Sequence, residues 1–146
     1  METPMRITVM ALAVAAVWGL SPIFEKLSLR DTSTTVVMTI RLLFISAVIT
    51  VFTIATGKGA EIFQISGKTL LLIITAGLLG GIVGLFLFFS ALRDGEASYV
   101  IPLAATAPLF SALYAWAILG ERVTSMRLAG IFLIVVGAAL VYWTKK

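Results

Sequence analysis

Five long runs of apolar residues dominate the sequence and constrain its fold more than any other feature. Crossing the hydrocarbon core of a bilayer as an α-helix takes about 20 mostly apolar residues. Among the five runs, Arg41 is the single charged residue. We therefore predict an all-α membrane protein with five transmembrane helices that form one domain over residues 1–146. The runs cover residues 7–24, 32–56, 69–92, 97–120 and 128–144.

A β-barrel and a cleaved signal peptide are the alternatives to this architecture. Barrel strands alternate apolar and polar residues over about ten positions, whereas these runs are continuously apolar and longer. Because the backbone must satisfy its own hydrogen bonds in lipid, each run is expected to be a helix. The first run follows Arg6 and contains the small residues Ala13 and Ala15, which a signal peptide would also show. It stays apolar through Phe24, however, which favours a membrane helix.

The composition argues against several function classes. Sixty per cent of the residues are hydrophobic and 12% are charged, against about 25% charged in a soluble domain. Cysteine and histidine are absent, so the sequence offers no thiolate metal site and lacks the commonest general base. The cations are scattered, which does not suggest nucleic-acid binding. No nucleophile elbow, P-loop or metalloprotease motif occurs, so we expect no catalytic residues, no metal and no cofactor.

The cations are divided almost equally between the two sides of the membrane that five crossings define. The positive-inside rule needs an excess on one side to fix the orientation. Near balance predicts that the chain inserts both ways round, with dual topology. The alternative is that a few residues near the first helix fix one orientation. One side would hold Arg6, Lys58, Lys68, Arg122 and Arg127, and the other Lys26, Arg30, Arg93, Lys145 and Lys146, with Arg41 nearest to it.

Polar residues in the first two helices are candidates for a functional site. Trp18, Ser21 and Glu25 are spaced three and four apart, so they share one helix face. They could line a polar pathway, or Glu25 could lie in water at the interface beside a packed Trp18. Arg41 could be the counter-charge of an anionic solute or of Glu25. Its alternative role is a structural pin or an interface anchor.

The fourth helix presents a second candidate face. Tyr99, Pro102, Thr106 and Tyr114 recur at helical spacing. Pro102 and Pro108 each remove a backbone hydrogen bond and can kink the helix. Carbonyl groups exposed at a kink are available to a solute or water in a cavity. The alternative is a kink that only shapes the helix, with the tyrosines packed inside the bundle.

Glycines form narrow stripes on the third and fifth helices. A face without side chains lets a second backbone approach closely, which is how helices associate in lipid. We interpret the stripes mainly as packing surfaces, within one chain or between two. The third helix carries Gly77, Gly80, Gly81 and Gly84, and the fifth carries Gly130 and Gly137.

The order of these motifs resembles the EamA family of the drug/metabolite transporter superfamily. The family pattern has a small-residue loop, a proline-containing fourth helix, a Leu-Gly-Glu turn and a glycine-spaced fifth helix. The Trp18-Gly19 pair and Arg41 also lie where the family has such residues. The corresponding segments are residues 95–98, 108–110, 119–122 and 130–137.

The resemblance implies a five-helix repeat. Most family members carry two such repeats of opposite topology, and this sequence holds one. An antiparallel homodimer, or pairing with a related five-helix subunit, would rebuild a ten-helix transporter with its solute site near the midplane. The related small multidrug resistance proteins use a carboxylate inside the first helix for proton coupling. Glu25 lies at the end of that helix as predicted here, so the comparison gives it only a possible charge-coupling role together with Arg41.

The leading hypothesis is therefore a half-size transporter of small organic solutes that works by alternating access. We expect it in a bacterial or archaeal cell membrane, where its helices contact the lipid bilayer. The competing hypothesis is a non-transporting membrane subunit that assembles with another membrane protein through its glycine stripes. An intramembrane enzyme is the third. Under the first hypothesis, the expected solute contacts are Trp18, Ser21, Tyr99, Thr106 and Tyr114.

Overall fold

A computed structural model describes residues 2–144, with side chains from residue 5 onward. Lys145 and Lys146, which entered the charge balance, lie outside the described residues. Within this described range, five helices are long and apolar enough to cross a membrane, which confirms the predicted all-α class with five transmembrane helices. These spans are Met5–Ser28, Thr34–Ala55, Gly67–Asp94, Ala97–Leu119 and Ser125–Trp143.

Two of the five spans are built from more than one helical segment. The third is continuous but passes from α-helix through a π-helical segment back to α-helix, and the fourth is divided in two. A short 3₁₀ helix, Gly59–Gln64, connects the second span to the third. The α-helices are α1 (Glu2–Ser28), α2 (Thr34–Ala55), α3 (Gly67–Ala76), α4 (Leu85–Asp94), α5 (Ala97–Ala104), α6 (Ala107–Leu119) and α7 (Ser125–Trp143), and the π segment is Gly77–Gly84.

The first helix is longer than its apolar run. The apolar run predicts an end at Phe24, before the first charge, but the helix continues to Ser28 and includes Glu25. The extension is possible because Glu25 is paired with Arg41, so its charge does not face lipid alone. Glu25 therefore lies inside the helix and is 8% exposed, so its side chain is buried within the chain and not surrounded by water.

The chain divides into two compact units, residues 1–93 and 94–146. The buried side chains of the first unit lie at one end of its helices. Leu29 directly follows α1, Met38 lies in the second turn of α2, and Phe89 and Leu92 belong to α4. At the opposite end, large side chains such as Met10 and Phe52 are exposed. These apolar surfaces are suited to contact with lipid or with another helix.

In the second unit, α7 packs against both α5 and α6. Val100 on α5 and Ala138 on α7 are buried. The break between α5 and α6 falls at residues 105–106, between the two prolines predicted as kinks. Pro102 lies inside α5, and Pro108 lies in the first turn of α6, where a missing N–H costs little. The break thus separates segments that the sequence presents as one apolar run.

The glycine-rich part of the third span adopts the π segment. An ideal Cβ built on Gly84 would lie 3.0 Å from the carbonyl oxygen of Leu79, five residues earlier. A Cβ here would make a tighter contact than most side chains do, so the backbone would have to shift by a few tenths of an ångström. A Cβ at Gly77, Gly80, Gly81, Gly130 or Gly137 meets nothing within 4 Å in the described part of the chain. These five glycines remain open, and their predicted role in packing between two chains stays a prediction.

The π segment predicts opposite effects for two alanine substitutions. Gly84→Ala places a methyl group against the Leu79 carbonyl oxygen, so we expect a loss of unfolding free energy of about 1–3 kcal/mol, as for an overpacked site. Gly80→Ala has open space within the chain, so in the monomeric protein it gains up to about 1 kcal/mol of helix propensity. Reversible unfolding in mixed detergent micelles, followed by circular dichroism, measures both. Equal effects of the two substitutions would contradict the crowding at Gly84.

Candidate functional site

A buried ion pair joins the first two membrane helices. A guanidinium nitrogen of Arg41 donates to Glu25 Oε1, and Ser21 Oγ donates to the same oxygen over 2.9 Å. Ser21 and Glu25 are four residues apart, which places them one turn apart on the same face of α1. The Arg41 side chain is 33% exposed, whereas Glu25 is almost completely enclosed. The two charges compensate each other inside membrane helices, where a lone charge is costly.

Arg41 has a second contact, with α4. Its guanidinium carbon lies 5.4 Å from the ring centroid of Phe89, and Phe89 is 0% exposed. A guanidinium over an aromatic face within about 6 Å is a stabilising cation–π contact. Because the ring is fixed by its burial, Arg41 is held in place by a contact that does not involve Glu25.

Lys26 connects α1 to the end of α4. Its Nζ donates to the carbonyl oxygens of Leu92 and Arg93, over 2.6 and 2.9 Å. The last carbonyl groups of a helix lack partners within the helix, and a cation there also complements the helix dipole. The contact fixes the end of α4, and with it the neighbouring Phe89, against α1. The three spans of the first unit are therefore joined by Glu25–Arg41, Arg41–Phe89 and Lys26–α4.

The ion pair is still incompletely satisfied. Glu25 Oε2 is buried and has no hydrogen-bond partner among the described residues. A guanidinium carries five N–H donors, and the described contacts of Arg41 are one bond to Glu25 and the Phe89 ring. Buried polar atoms without partners are rare in native proteins and call for an explanation. The pair has unused capacity on both its acceptor and its donor side.

A cavity of about 240 Å³ lies beside the pair in the first unit. The ring of Trp18 at its wall is 73% exposed, so this aromatic surface is available for contact. The lining combines one anion, one cation, a hydroxyl group and two aromatic rings, and its formal charge is zero. Such a wall can hydrogen-bond a polar group and pack against an apolar one. The lining residues are Trp18, Ser21, Pro22, Glu25, Arg41, Leu85 and Phe88.

Two further cavities are more apolar. One of about 410 Å³ lies between α2 and the third span in the first unit, where Thr35 and Thr39 are its polar residues. The other, about 770 Å³, lies in the second unit at the turn between α6 and α7 and includes Glu121 and Arg122. Neither contains a buried charge pair. The cavity beside Glu25 and Arg41 is therefore the better candidate for specific recognition.

The structure brings together only part of the predicted set. Trp18, Ser21, Glu25 and Arg41 line one cavity in the first unit. The other predicted contacts belong to the second unit, with Tyr99 on α5, Thr106 in the break and Tyr114 on α6. There the Tyr99 ring lies 6.5 Å from that of Tyr142, Thr106 Oγ1 donates to the carbonyl oxygen of Leu103 over 2.8 Å, and Tyr114 is exposed.

Sequence reasoning missed the residues that α4 contributes. Phe88 and Leu85 line the cavity and Phe89 supports Arg41. They lie in an uninterrupted apolar run, so nothing distinguishes them from neighbours that face lipid. Lys26 did carry a signal, because a cation beside Glu25 in the last turn of a helix is placed to reach carbonyl groups. Its partner could not be read from the sequence.

Comparison with known proteins identifies the family. The model of the EamA-like transporter family matches residues 5–143. The chain belongs to the EamA-like transporter family. A protein of a Sinorhizobium species, described as an uncharacterized transporter in the cobO 3′ region, is 32% identical over 130 residues. That match covers 89% of this chain and 92% of the relative. No solved structure matches the chain significantly.

Membership of the EamA-like family confirms the resemblance inferred from the motifs. It identifies the chain as an integral membrane transporter and favours transport over catalysis. The match covers nearly all of both chains, so the Sinorhizobium relative has about the same length as this chain.

Proposed function

We propose that this chain is a half-size transporter of small organic solutes that works by alternating access. The observation that carries the proposal is the Glu25–Arg41 pair beside a cavity in a chain of a transporter family. Charged residues inside membrane segments are costly and usually belong to substrate or ion pathways. A pair serving only to hold two helices together would need no adjoining cavity. This one borders a cavity and retains unused hydrogen-bonding capacity.

The cavity wall suits a small organic solute. Trp18 and Phe88 offer aromatic surface, and Ser21 offers a hydroxyl group. Rings with polar neighbours can hold a solute that is apolar at one end and polar at the other. Tyr99, Thr106 and Tyr114 in the second unit are proposed as further solute contacts, with the helix break between Pro102 and Pro108 as a bending point.

We further propose that two chains are needed, as an antiparallel homodimer or as a pair with a related subunit. The open glycine faces on the third and fifth spans leave room for close approach by a second chain. The Sinorhizobium relative, also described as a transporter, has about the same length. A site near the midplane between two inverted repeats is a common transporter design. The proposed location is a bacterial or archaeal cell membrane.

Reconstituted protein provides the direct test of transport. Lipid vesicles holding only this chain are expected to accumulate at least one labelled solute from a panel of small metabolites, faster than protein-free vesicles. The panel is run with and without a proton gradient. Glu25→Gln should reduce the flux at least tenfold, because it leaves the Arg41 charge beside the cavity without its compensating carboxylate. The matched control is Glu61→Gln, which alters an exposed carboxylate in the 3₁₀ connection and should leave the flux unchanged.

Two results would contradict transport by this chain alone. Folded protein that gives no flux with any solute would do so, as would flux that requires a different protein. The second result would favour a membrane subunit that assembles with another protein. An equal loss of flux in Glu25→Gln and Glu61→Gln would show that transport does not depend on the ion pair.

Dual topology has its own test. Reporters fused to the C-terminus, one active in the cytoplasm and one active outside the membrane, are both expected to give signal. The double variant Lys58→Gln, Lys68→Gln removes two cations from one side and should shift the signal strongly toward one reporter. Signal from one reporter only in the unsubstituted chain would refute dual topology and favour a fixed orientation with a related partner.

A further inference from the structure

The Glu25–Arg41 pair has both an unused hydrogen-bond acceptor and unused hydrogen-bond donors. We infer, building on the proposed transport function, that this pair selects solutes that carry no net charge and offer both a donor and an acceptor. The donor of the solute would bind Glu25 and the acceptor would bind Arg41. The charge balance of the site and its unsatisfied atoms thus define the class of substrate.

The acceptor side rests on Glu25 Oε2. Both described partners of this carboxylate, Ser21 and Arg41, donate to Oε1. Oε2 is buried and has no partner among the described residues. The terminal torsion of a glutamate is soft, so a partial rotation can turn Oε2 toward the cavity that Glu25 lines. An N–H or O–H group of a solute in the cavity would supply the missing donor.

The donor side rests on Arg41. One bond to Glu25 is described for its guanidinium, and the side chain is 33% exposed. The remaining N–H groups can bind an oxygen of the solute, in the fork geometry that suits carboxylate and carbonyl groups. Phe89 holds the guanidinium from a fixed position, so Arg41 stays in place while Glu25 changes partners.

Net charge then determines which solutes are accepted. Glu25 and Arg41 are the two charged residues of the cavity lining, and they cancel. Lys26, the nearest cation along the chain, is bonded to the carbonyl oxygens of Leu92 and Arg93. A solute with one net charge would leave that charge uncompensated where the dielectric constant is low, which is strongly unfavourable. A zwitterion or a polar neutral molecule leaves the balance intact.

The dimensions limit the solute to a small molecule. The cavity is about 240 Å³, below the roughly 300–1,000 Å³ typical of sites for drug-sized ligands. Trp18 and Phe88 provide apolar surface for the part of the solute that carries no polar group. The site therefore fits a compact molecule with its donor and acceptor close together.

The sequence offers a simple optical probe of binding. The chain contains three tryptophans, and Trp18 is at the cavity wall. The variant Trp116→Phe, Trp143→Phe makes Trp18 the only fluorophore of its kind. Purified protein in lipid nanodiscs is titrated with four molecules of one size class. These are L-alanine (a zwitterion), N-acetyl-L-alaninamide (neutral), L-alaninamide (a cation) and N-acetyl-L-alanine (an anion).

We expect the two molecules without net charge to change the Trp18 fluorescence at concentrations at least tenfold lower than the two charged ones. Glu25→Gln gives the lining a net positive charge, so N-acetyl-L-alanine should become the tightest ligand. Arg41→Gln gives it a net negative charge, so L-alaninamide should become the tightest. Glu61→Gln lies in the connection outside the cavity and should keep the original order.

A change in the order of ligand affinities distinguishes recognition by the pair from a purely structural role. If the pair were only structural, its loss would weaken the binding of all four ligands together. If Arg41→Gln does not fold, Glu25→Gln alone decides the question, since an amide keeps the shape of the side chain. Preference for a charged probe in the unsubstituted protein, or the same order in Glu25→Gln, would overturn the inference. Binding without flux in vesicles would keep this inference and reject transport. Flux without selectivity for net charge would support transport and reject this inference.

Discussion

The ion pair between Glu25 and Arg41 is the interaction on which the first unit depends. In lipid, neither residue can be left alone without a large cost, so each fixes the other. The pair joins α1 to α2, and the Phe89 ring beneath Arg41 joins both to α4. Lys26 on α1 binds the carbonyl groups at the end of α4, which holds the helix that carries Phe89 against α1. A few polar contacts thus determine the arrangement of helices whose other faces are largely exposed and apolar.

The same pair accounts for the functional features of the unit. Since its charges cancel, a cavity can exist beside it without a net charge in the membrane. Since its oxygen and nitrogen atoms are only partly satisfied, it can still bind a partner. The aromatic surface of Trp18 adds contacts that do not depend on charge. This EamA-like chain thus has, in one unit, a candidate recognition site that is neutral overall but strongly polar locally.

The sequence predicted what charge and hydropathy determine. Five apolar runs gave five helices, and the isolated Arg41 and the four-residue spacing of Ser21 and Glu25 pointed to the site. The end of α1 was placed too early, because compensation of Glu25 by a residue on another helix is not visible in a hydropathy profile. Phe89 could not be found, since in a uniformly apolar run a buried ring and a lipid-facing ring look alike. The π segment depends on backbone register at Gly84, which glycine spacing alone does not specify.

A double-mutant cycle on Glu25 and Arg41 tests this account most directly. The unfolding free energies of Glu25→Gln, Arg41→Gln and the double variant are measured against the unsubstituted chain in the same micelles. If the pair organises the unit, the double variant will be less destabilised than the sum of the single variants, by at least about 1 kcal/mol. Additive effects, within about 0.5 kcal/mol, would show that the two residues act independently and would contradict the account.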